Sequence, residues 1–160
     1  MPENPSPALP AEILDLSASG AISIIENAPL AKEVSMGVGG PARWLLTVEK
    51  DEALEPALGA LRLAGIPWMI LGGGSNTFFA DSGYPGAVVK LGKAFRSIAA
   101  GPGEHRLTAG AGAVLSAVMN ASKRAGLTGL EWAAGVPGAL GGALAGNAGT
   151  AYGDACSALE

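Results

Sequence analysis

The pattern of apolar and polar positions along the chain predicts helices separated by strands. Apolar residues at helical spacing predict a short helix from Ala11 to about Asn27. Residues 43–48, RWLLTV, form an apolar run typical of a strand. Asp51 can cap the next helix pattern, which Gly65 ends as a left-handed cap residue. Pro56 lies inside that pattern, where it removes a backbone hydrogen bond near the first turn.

Predicted strands and helices continue through the rest of the chain. Residues 66–71, IPWMIL, predict a buried strand, and a turn leads to another strand at 87–91, AVVKL. HRLTAG at 105–110 has a strand pattern, and the helix pattern after it is closed by Gly126. Strands and helices followed by glycine loops indicate α/β or α+β architecture. No repeat of 20–50 residues is visible, which excludes a solenoid.

Glycine usage sets this chain apart from an ordinary globular domain. The chain has 25 glycines, against about 11 expected for its length at a usage of ~7%. Only Gly20 precedes residue 37, and the others gather in a few short clusters. Clustered glycine indicates backbone that side chains would forbid, or backbone that must approach another group closely.

The first cluster, GGGSN, directly follows the predicted strand at 66–71. Successive glycine N–H groups can point toward one centre and form a concave nest that attracts anions. Ser75 and Asn76 add side-chain donors at its rim. A pyrophosphate fits such a nest, and a plain tight turn between strands is the alternative. The cluster consists of Gly72, Gly73, Gly74, Ser75 and Asn76.

The second cluster begins at Gly135 and runs through GVPGALGG. Pro137 stiffens its entry, and the glycines leave bare backbone that suits a flat ligand with polar ring atoms. A conjugated cofactor fits this description better than a sugar does. Close helix packing through small residues is the alternative. Trp132 lies beside this cluster and could flank a ligand.

Other familiar signatures are incomplete. GAGAVL at 110–115 has leucine where a dinucleotide-binding loop needs its third glycine. GAVVKLGKA at 86–94 is one residue too long for a phosphate-binding loop and lacks its Ser or Thr. His105 and Cys156 are the single histidine and cysteine, so no metal site is expected. His105 is interpreted as a surface strand residue and Cys156 as a small apolar filler.

Composition excludes several classes of protein. The chain is 49% hydrophobic and 15% charged with a net charge of −4, and no basic stripe offers a nucleic-acid surface. No apolar stretch reaches the roughly 20 residues of a membrane-spanning helix, and the first residues lack the features of a secretion signal. A single cysteine fits a reducing compartment. We expect a soluble, cytoplasmic protein that binds neither nucleic acid nor membranes.

Four segments in order carry a family resemblance. They are NAPLAKEVSMGVGGPARWLL, GIPWMILGGGSNTFFADSGYPGAVVKLG, AGAG and GLTGLEWAAGVPGALGGALAGNAGTAYG. Together they resemble the UDP-N-acetylenolpyruvoylglucosamine reductases, flavoenzymes of peptidoglycan precursor synthesis that are also called UDP-N-acetylmuramate dehydrogenases. The resemblance covers the chain from about Asn27 to Gly153.

The resemblance implies an α+β fold, the two-lobed FAD-binding module of the vanillyl-alcohol-oxidase and PCMH type, with its second lobe truncated. Residues 1–30 would be a lead-in, 31–95 the first lobe and 96–160 an incomplete second lobe. Matched by position, residues 72–76 would hold the FAD pyrophosphate. A second set of residues would lie along the flavin: Pro137, Gly138, Gly141, Gly142, Asn147, Gly149 and Tyr152.

The resemblance also implies an activity. In the family, NADPH reduces FAD, and hydride then passes to the enolpyruvyl group of the UDP-sugar substrate to give UDP-N-acetylmuramate. The family's catalytic arginine, serine and late glutamate come after residue 160, so we expect no catalytic residue here and a missing C-terminal substrate domain. A stand-alone FAD-binding subunit of a multi-chain oxidoreductase is the alternative, and a related flavin oxidase of another chemistry is a third reading.

Overall fold

The computed structural model describes residues 8–101 and 104–158, which form two lobes. Its α-helices are α1 (Ala11–Ala18), α2 (Leu54–Leu63), α3 (Leu115–Arg124) and α4 (Leu140–Ala145). Its strands are β1 (Ile22–Pro29), β2 (Pro41–Val48), β3 (Trp68–Ile70), β4 (Tyr84–Leu91), β5 (Ile98–Ala100), β6 (Leu107–Ala109), β7 (Gly149–Thr150) and β8 (Gly153–Asp154). Short 3₁₀ helices span Leu30–Lys32, Asp51–Ala53, Lys93–Arg96, Glu131–Ala133 and Cys156–Ala158.

The first lobe is a four-stranded sheet in the order β1-β2-β4-β3. β1 pairs with β2 in antiparallel fashion, while β4 runs parallel to both β2 and β3. Apolar side chains of the central strands alternate between the two faces, so that Val89 packs beside α1 and α2 and Val88 packs on the other side. Burial on both faces explains why residues 87–89 of β4 are all apolar, while Lys90 after them is only partly buried.

The predicted helix from Ala11 to Asn27 is wrong beyond Ala18. Gly20, at φ +71°, lies just past the helix, and the N–H of Ala21 donates to the Leu16 carbonyl at 3.0 Å, as in a glycine cap. The following residues form β1, whose Ile22 lies in the first-lobe core. Residues 22–29 therefore belong to the sheet and are not part of a lead-in.

Three further details of strands and helices differ from the sequence prediction, and one agrees with it. The strand within IPWMIL covers only Trp68–Ile70, and it is not buried: Trp68 is 38% exposed because β3 is an edge strand. Asp51 makes no side-chain cap, since the chain enters α2 through a 3₁₀ turn. Pro56 is the third residue of α2, where its missing N–H has no partner to lose. Gly65 has the predicted left-handed conformation at φ +64°.

The second lobe contains two small antiparallel hairpins, β5–β6 and β7–β8, together with α3 and α4, and β7 and β8 contact the 3₁₀ helix Glu131–Ala133. Its core includes Leu115, Trp132 and Ala143. Because Trp132 is buried there, it is a packing residue of this lobe. His105 is not in a strand, since it lies exposed in the turn before β6 at φ +64°. Cys156 is exposed, so its interpretation as an apolar filler is wrong. The boundary between the lobes at residue 96 stays a prediction.

Candidate functional site

A cleft of about 640 Å³ separates the two lobes. The first lobe contributes the carboxyl ends of β3 and β4, including Leu71 and Leu91, and the loop that follows β3. The second lobe contributes Ala111, Gly112 and Val114, before α3, and residues from Gly138 into α4. Ligands of open α/β sheets bind beyond the carboxyl ends of parallel strands. The cleft therefore lies where this sheet would place a ligand.

The two glycine clusters, far apart in sequence, face each other in this cleft. A Cβ atom built on Gly73 would lie 2.8 Å from the Gly138 Cα, and one on Gly72 would lie 3.8 Å from the Gly142 Cα. The Ser75 hydroxyl donates to the Pro137 carbonyl at 3.3 Å and ties the loops together. Side chains at Gly73 would keep the loops from approaching this closely.

Backbone N–H groups on both sides of the cleft have no acceptor among the described residues. They belong to Gly72, Gly73, Gly138, Ala139 and Gly142. Backbone donors are seldom left without partners in native proteins, so these groups are available to water or to a ligand rich in oxygen atoms. A concave set of such donors attracts anions such as phosphate.

The cleft also offers apolar surface and positive charge. Ile70 is 46% exposed and Val114 is 55% exposed, and both line the cleft, where they suit the face of a planar ring. Lys90 and Arg96 line it as well, and Lys90 forms an ion pair with Glu33. Sequence reasoning missed both cations, although they lie in or beside the GAVVKLGKA segment that was compared with a phosphate-binding loop.

The remaining predicted residues of the first cluster lie near the cleft but do not line it. A Cβ atom on Gly74 would lie 2.2 Å from the Glu33 carbonyl oxygen, so this glycine faces protein backbone and not the cleft. Asn76 is exposed and does not line the cleft. In the second cluster Gly138, Gly141 and Gly142 line the cleft, with Pro137 at its edge through the bond from Ser75.

Three predicted residues lie outside the cleft lining. Asn147, at φ +41°, accepts a hydrogen bond from the Cys156 N–H at 3.0 Å through its Oδ1. Gly149 pairs with Asp154 in the β7–β8 hairpin, and Tyr152 is 87% exposed. Their placement along a flavin stays a prediction.

Other chemistry is sparse in the described part of the chain. Within residues 8–101 and 104–158, no three acidic, histidine or cysteine side chains gather closely enough to hold a metal ion. Burial raises the pKa of the Tyr84 phenol above 10.0, and this ring packs edge-on against Phe79, outside the residues that line the cleft. No described helix is both long and apolar enough to cross a bilayer.

Residues 42–159 match the family model described as FAD binding domain. The chain belongs to this FAD-binding family. It is 42% identical over 143 residues to the UDP-N-acetylenolpyruvoylglucosamine reductase of Myxococcus xanthus, an alignment that covers 88% of this chain and 46% of the relative. It is 45% identical over 140 residues to the reductase of an Anaeromyxobacter species, covering 86% of this chain and 43% of that protein.

Comparison with a solved structure supports the same family assignment. The UDP-N-acetylenolpyruvylglucosamine reductase of Thermus caldophilus superposes with a TM-score of 0.69 at 36% identity, covering 87% of this chain and 47% of that one. The α+β FAD-binding fold and the family resemblance predicted from sequence are confirmed. The chain spans somewhat less than half the length of these relatives.

FAD, the cofactor of this family, fits the donors in the cleft. Unpaired N–H groups from two loops and the Arg96 guanidinium suit a diphosphate, and exposed Ile70 and Val114 suit an aromatic ring. The cleft therefore contains the kinds of groups that a large, flat dinucleotide requires.

Glu33→Gln is expected to strengthen FAD binding by about threefold, because it removes a negative charge and frees Lys90 for the ligand. Titration of the protein with FAD measures this change. Glu26→Gln is the control, since Glu26 is exposed on β1, at the opposite edge of the sheet from β3. Unchanged or weaker FAD binding by the Glu33 variant would contradict the prediction.

Proposed function

We propose that this chain is the FAD-binding part of an NADPH-dependent UDP-N-acetylenolpyruvoylglucosamine reductase. The complete reaction reduces the enolpyruvyl group of a UDP-sugar to give UDP-N-acetylmuramate, a precursor of peptidoglycan, in the cytoplasm. The observation that carries the proposal is the cleft between the lobes, where N–H groups of two glycine loops have no acceptor within residues 8–101 and 104–158. The identities of 42–45% to curated reductases support the choice of reaction.

The described residues act by holding and orienting the cofactor. N–H groups of Gly72 and Gly73 approach from the first lobe, and those of Gly138 and Gly142 approach from the second. Donors fixed on opposite walls restrict the ligand to one orientation, because no side-chain rotation can move them. When bound, FAD supplies the hydride-transfer chemistry, and the protein supplies position and a complementary charge.

The apolar surfaces act by excluding water. Ile70 at the end of β3 and Val114 before α3 line the same cleft from different lobes. A planar ring lying against them would bury apolar area from both lobes, with a gain of roughly 25 cal/mol per Å². The chain spans less than half the length of the reductases it matches, so we propose that contacts to the UDP-sugar come from the part of those relatives that it does not match.

The purified chain is expected to bind FAD and turn yellow, with NADPH oxidation absent or very slow in the presence of the UDP-sugar. Flavin absorbance after gel filtration and a titration with added FAD measure binding, and circular dichroism reports whether the chain is folded. A folded chain that takes up no flavin from excess FAD would contradict the proposal. Activity restored by adding a separately expressed C-terminal half would indicate that the chain works as an FAD-binding subunit.

A further inference from the structure

Two cationic side chains line the cleft, and their surroundings differ. The Lys90 ammonium group is paired with the Glu33 carboxylate, and both side chains are roughly three-quarters buried, at 29% and 24% exposure. The two opposite charges largely cancel in their effect on a ligand at a greater distance. Arg96 is exposed, and its guanidinium makes no hydrogen bond or ion pair with any described residue.

The backbone around Arg96 is held in place by both lobes. Arg96 ends the 3₁₀ helix Lys93–Arg96, which lies between β4 and β5. The preceding Phe95 packs against the first-lobe core, and its carbonyl accepts from the Gly112 N–H of the second lobe at 2.9 Å. The guanidinium therefore starts from a fixed point on the cleft wall, although its own side chain is free to reach a ligand.

We infer that Arg96 binds the diphosphate of the dinucleotide held in this cleft, an inference that rests on the proposed function. The chain as a whole is acidic, with a net charge of −4, so an incoming dianion needs a local cation. Of the two cations that line the cleft, Arg96 is the one that pairs with no carboxylate in the described part of the chain. A guanidinium offers a planar fork of donors that matches two phosphate oxygens, and such charge-assisted bonds are about twice as strong as neutral ones.

If Arg96 stacked on the flavin ring instead of binding the diphosphate, the binding experiments would give a different result. Arginine also stacks on aromatic faces, so Arg96 could cover the flavin ring and contribute through a cation–π contact. Diphosphate binding requires the phosphates and not the ring, whereas stacking requires the ring and not the phosphates. Ligands that carry only one of these parts therefore separate the two roles.

The test compares Arg96→Gln with Lys93→Gln, a matched control that removes one positive charge from the same 3₁₀ helix at a residue outside the cleft lining. Isothermal titration with FAD, ADP and riboflavin is performed on each folded variant. We expect Arg96→Gln to weaken FAD and ADP binding by about tenfold or more, with riboflavin binding unchanged and Lys93→Gln like the parent protein. Arg96→Lys should lose less, and added salt should weaken FAD binding more in the parent protein than in Arg96→Gln.

Several results would overturn the inference. FAD binding by Arg96→Gln equal to that of the parent protein rejects a role for Arg96 and leaves the proposed function standing. Weakened riboflavin binding together with unchanged ADP binding assigns Arg96 to the ring. A folded parent chain that binds none of the three ligands rejects the proposed function, and the inference with it.

Discussion

Replacing Gly142 by leucine is expected to abolish measurable FAD binding, with a loss of at least about a hundredfold, while the fold stays intact. Gly142 is the third residue of α4 and lines the cleft. A Cβ atom built there meets no protein atom within 4 Å, so a larger side chain can project into open space without strain. The space it fills is the space that the ligand needs.

The same substitution should leave the stability of the fold unchanged or raise it slightly. Glycine inside a helix is less favourable than most other residues by about 0.5–1 kcal/mol. The leucine variant should therefore unfold at the same temperature as the parent chain or slightly above it. A thermal melt and an FAD titration on the same sample measure both effects.

Gly59→Leu is the matched control for this prediction. Gly59 lies in α2, where a Cβ atom also meets nothing within 4 Å, and it is not among the residues that line the cleft. FAD binding should be unchanged in this variant. If Gly142→Leu binds FAD within about twofold of the parent chain, the ligand does not occupy the cleft beside α4.

Sequence alone predicted the elements whose pattern is local. The apolar runs at 43–48 and 87–91 became the central strands β2 and β4, since burial on both faces favours apolar residues at most of their positions, and the polar Arg43, Thr47 and Lys90 are only partly buried. The left-handed glycine Gly65 was predicted from its place after a helix pattern, and its φ of +64° confirms this. Gly20 has the same role at φ +71°, and reading it in that way would have ended the first helix before β1.

The site was only partly predictable, because the sequence does not show which loops meet. The two glycine clusters were recognised separately, and the structure brings Gly73 and Gly138 into contact across the cleft. Arg96 had no motif of its own. Its position follows from the 3₁₀ turn after β4 and from Phe95, whose carbonyl bonds to the second lobe. Such long-range placement depends on the packing of two lobes and leaves no local pattern.

The structure also divides the glycines of the two clusters into two kinds. At Gly142 the missing side chain leaves room in the cleft, and a ligand is what would fill it. At Gly74 the space is filled by the Glu33 carbonyl, so the missing side chain lets the protein pack on itself. The tight-turn interpretation of the first cluster therefore fits Gly74, and ligand binding by the other residues of that cluster stays a prediction.

The variant Gly73→Val tests what the missing side chain does at the point where the two glycine loops touch. The added Cβ would lie 2.8 Å from the Gly138 Cα and 3.3 Å from the Ala139 nitrogen, and both are backbone atoms that no rotamer change can move. Valine should therefore push the loops apart and displace the N–H groups on both walls. We expect FAD affinity to fall by about a hundredfold and the free energy of unfolding to fall by about 1–3 kcal/mol.

A urea denaturation curve and an FAD titration, performed on Gly73→Val and on Gly72→Ala, test this account. The Cβ of Gly72→Ala would lie 3.6 Å from the Ala139 Cβ, an ordinary contact, so both quantities should change little. If Gly73→Val loses FAD at unchanged stability, valine blocks the ligand directly and the loops do not depend on each other. If it keeps both FAD affinity and stability, the loops do not approach as closely in solution as Gly73 and Gly138 do here, because a valine cannot fit between them.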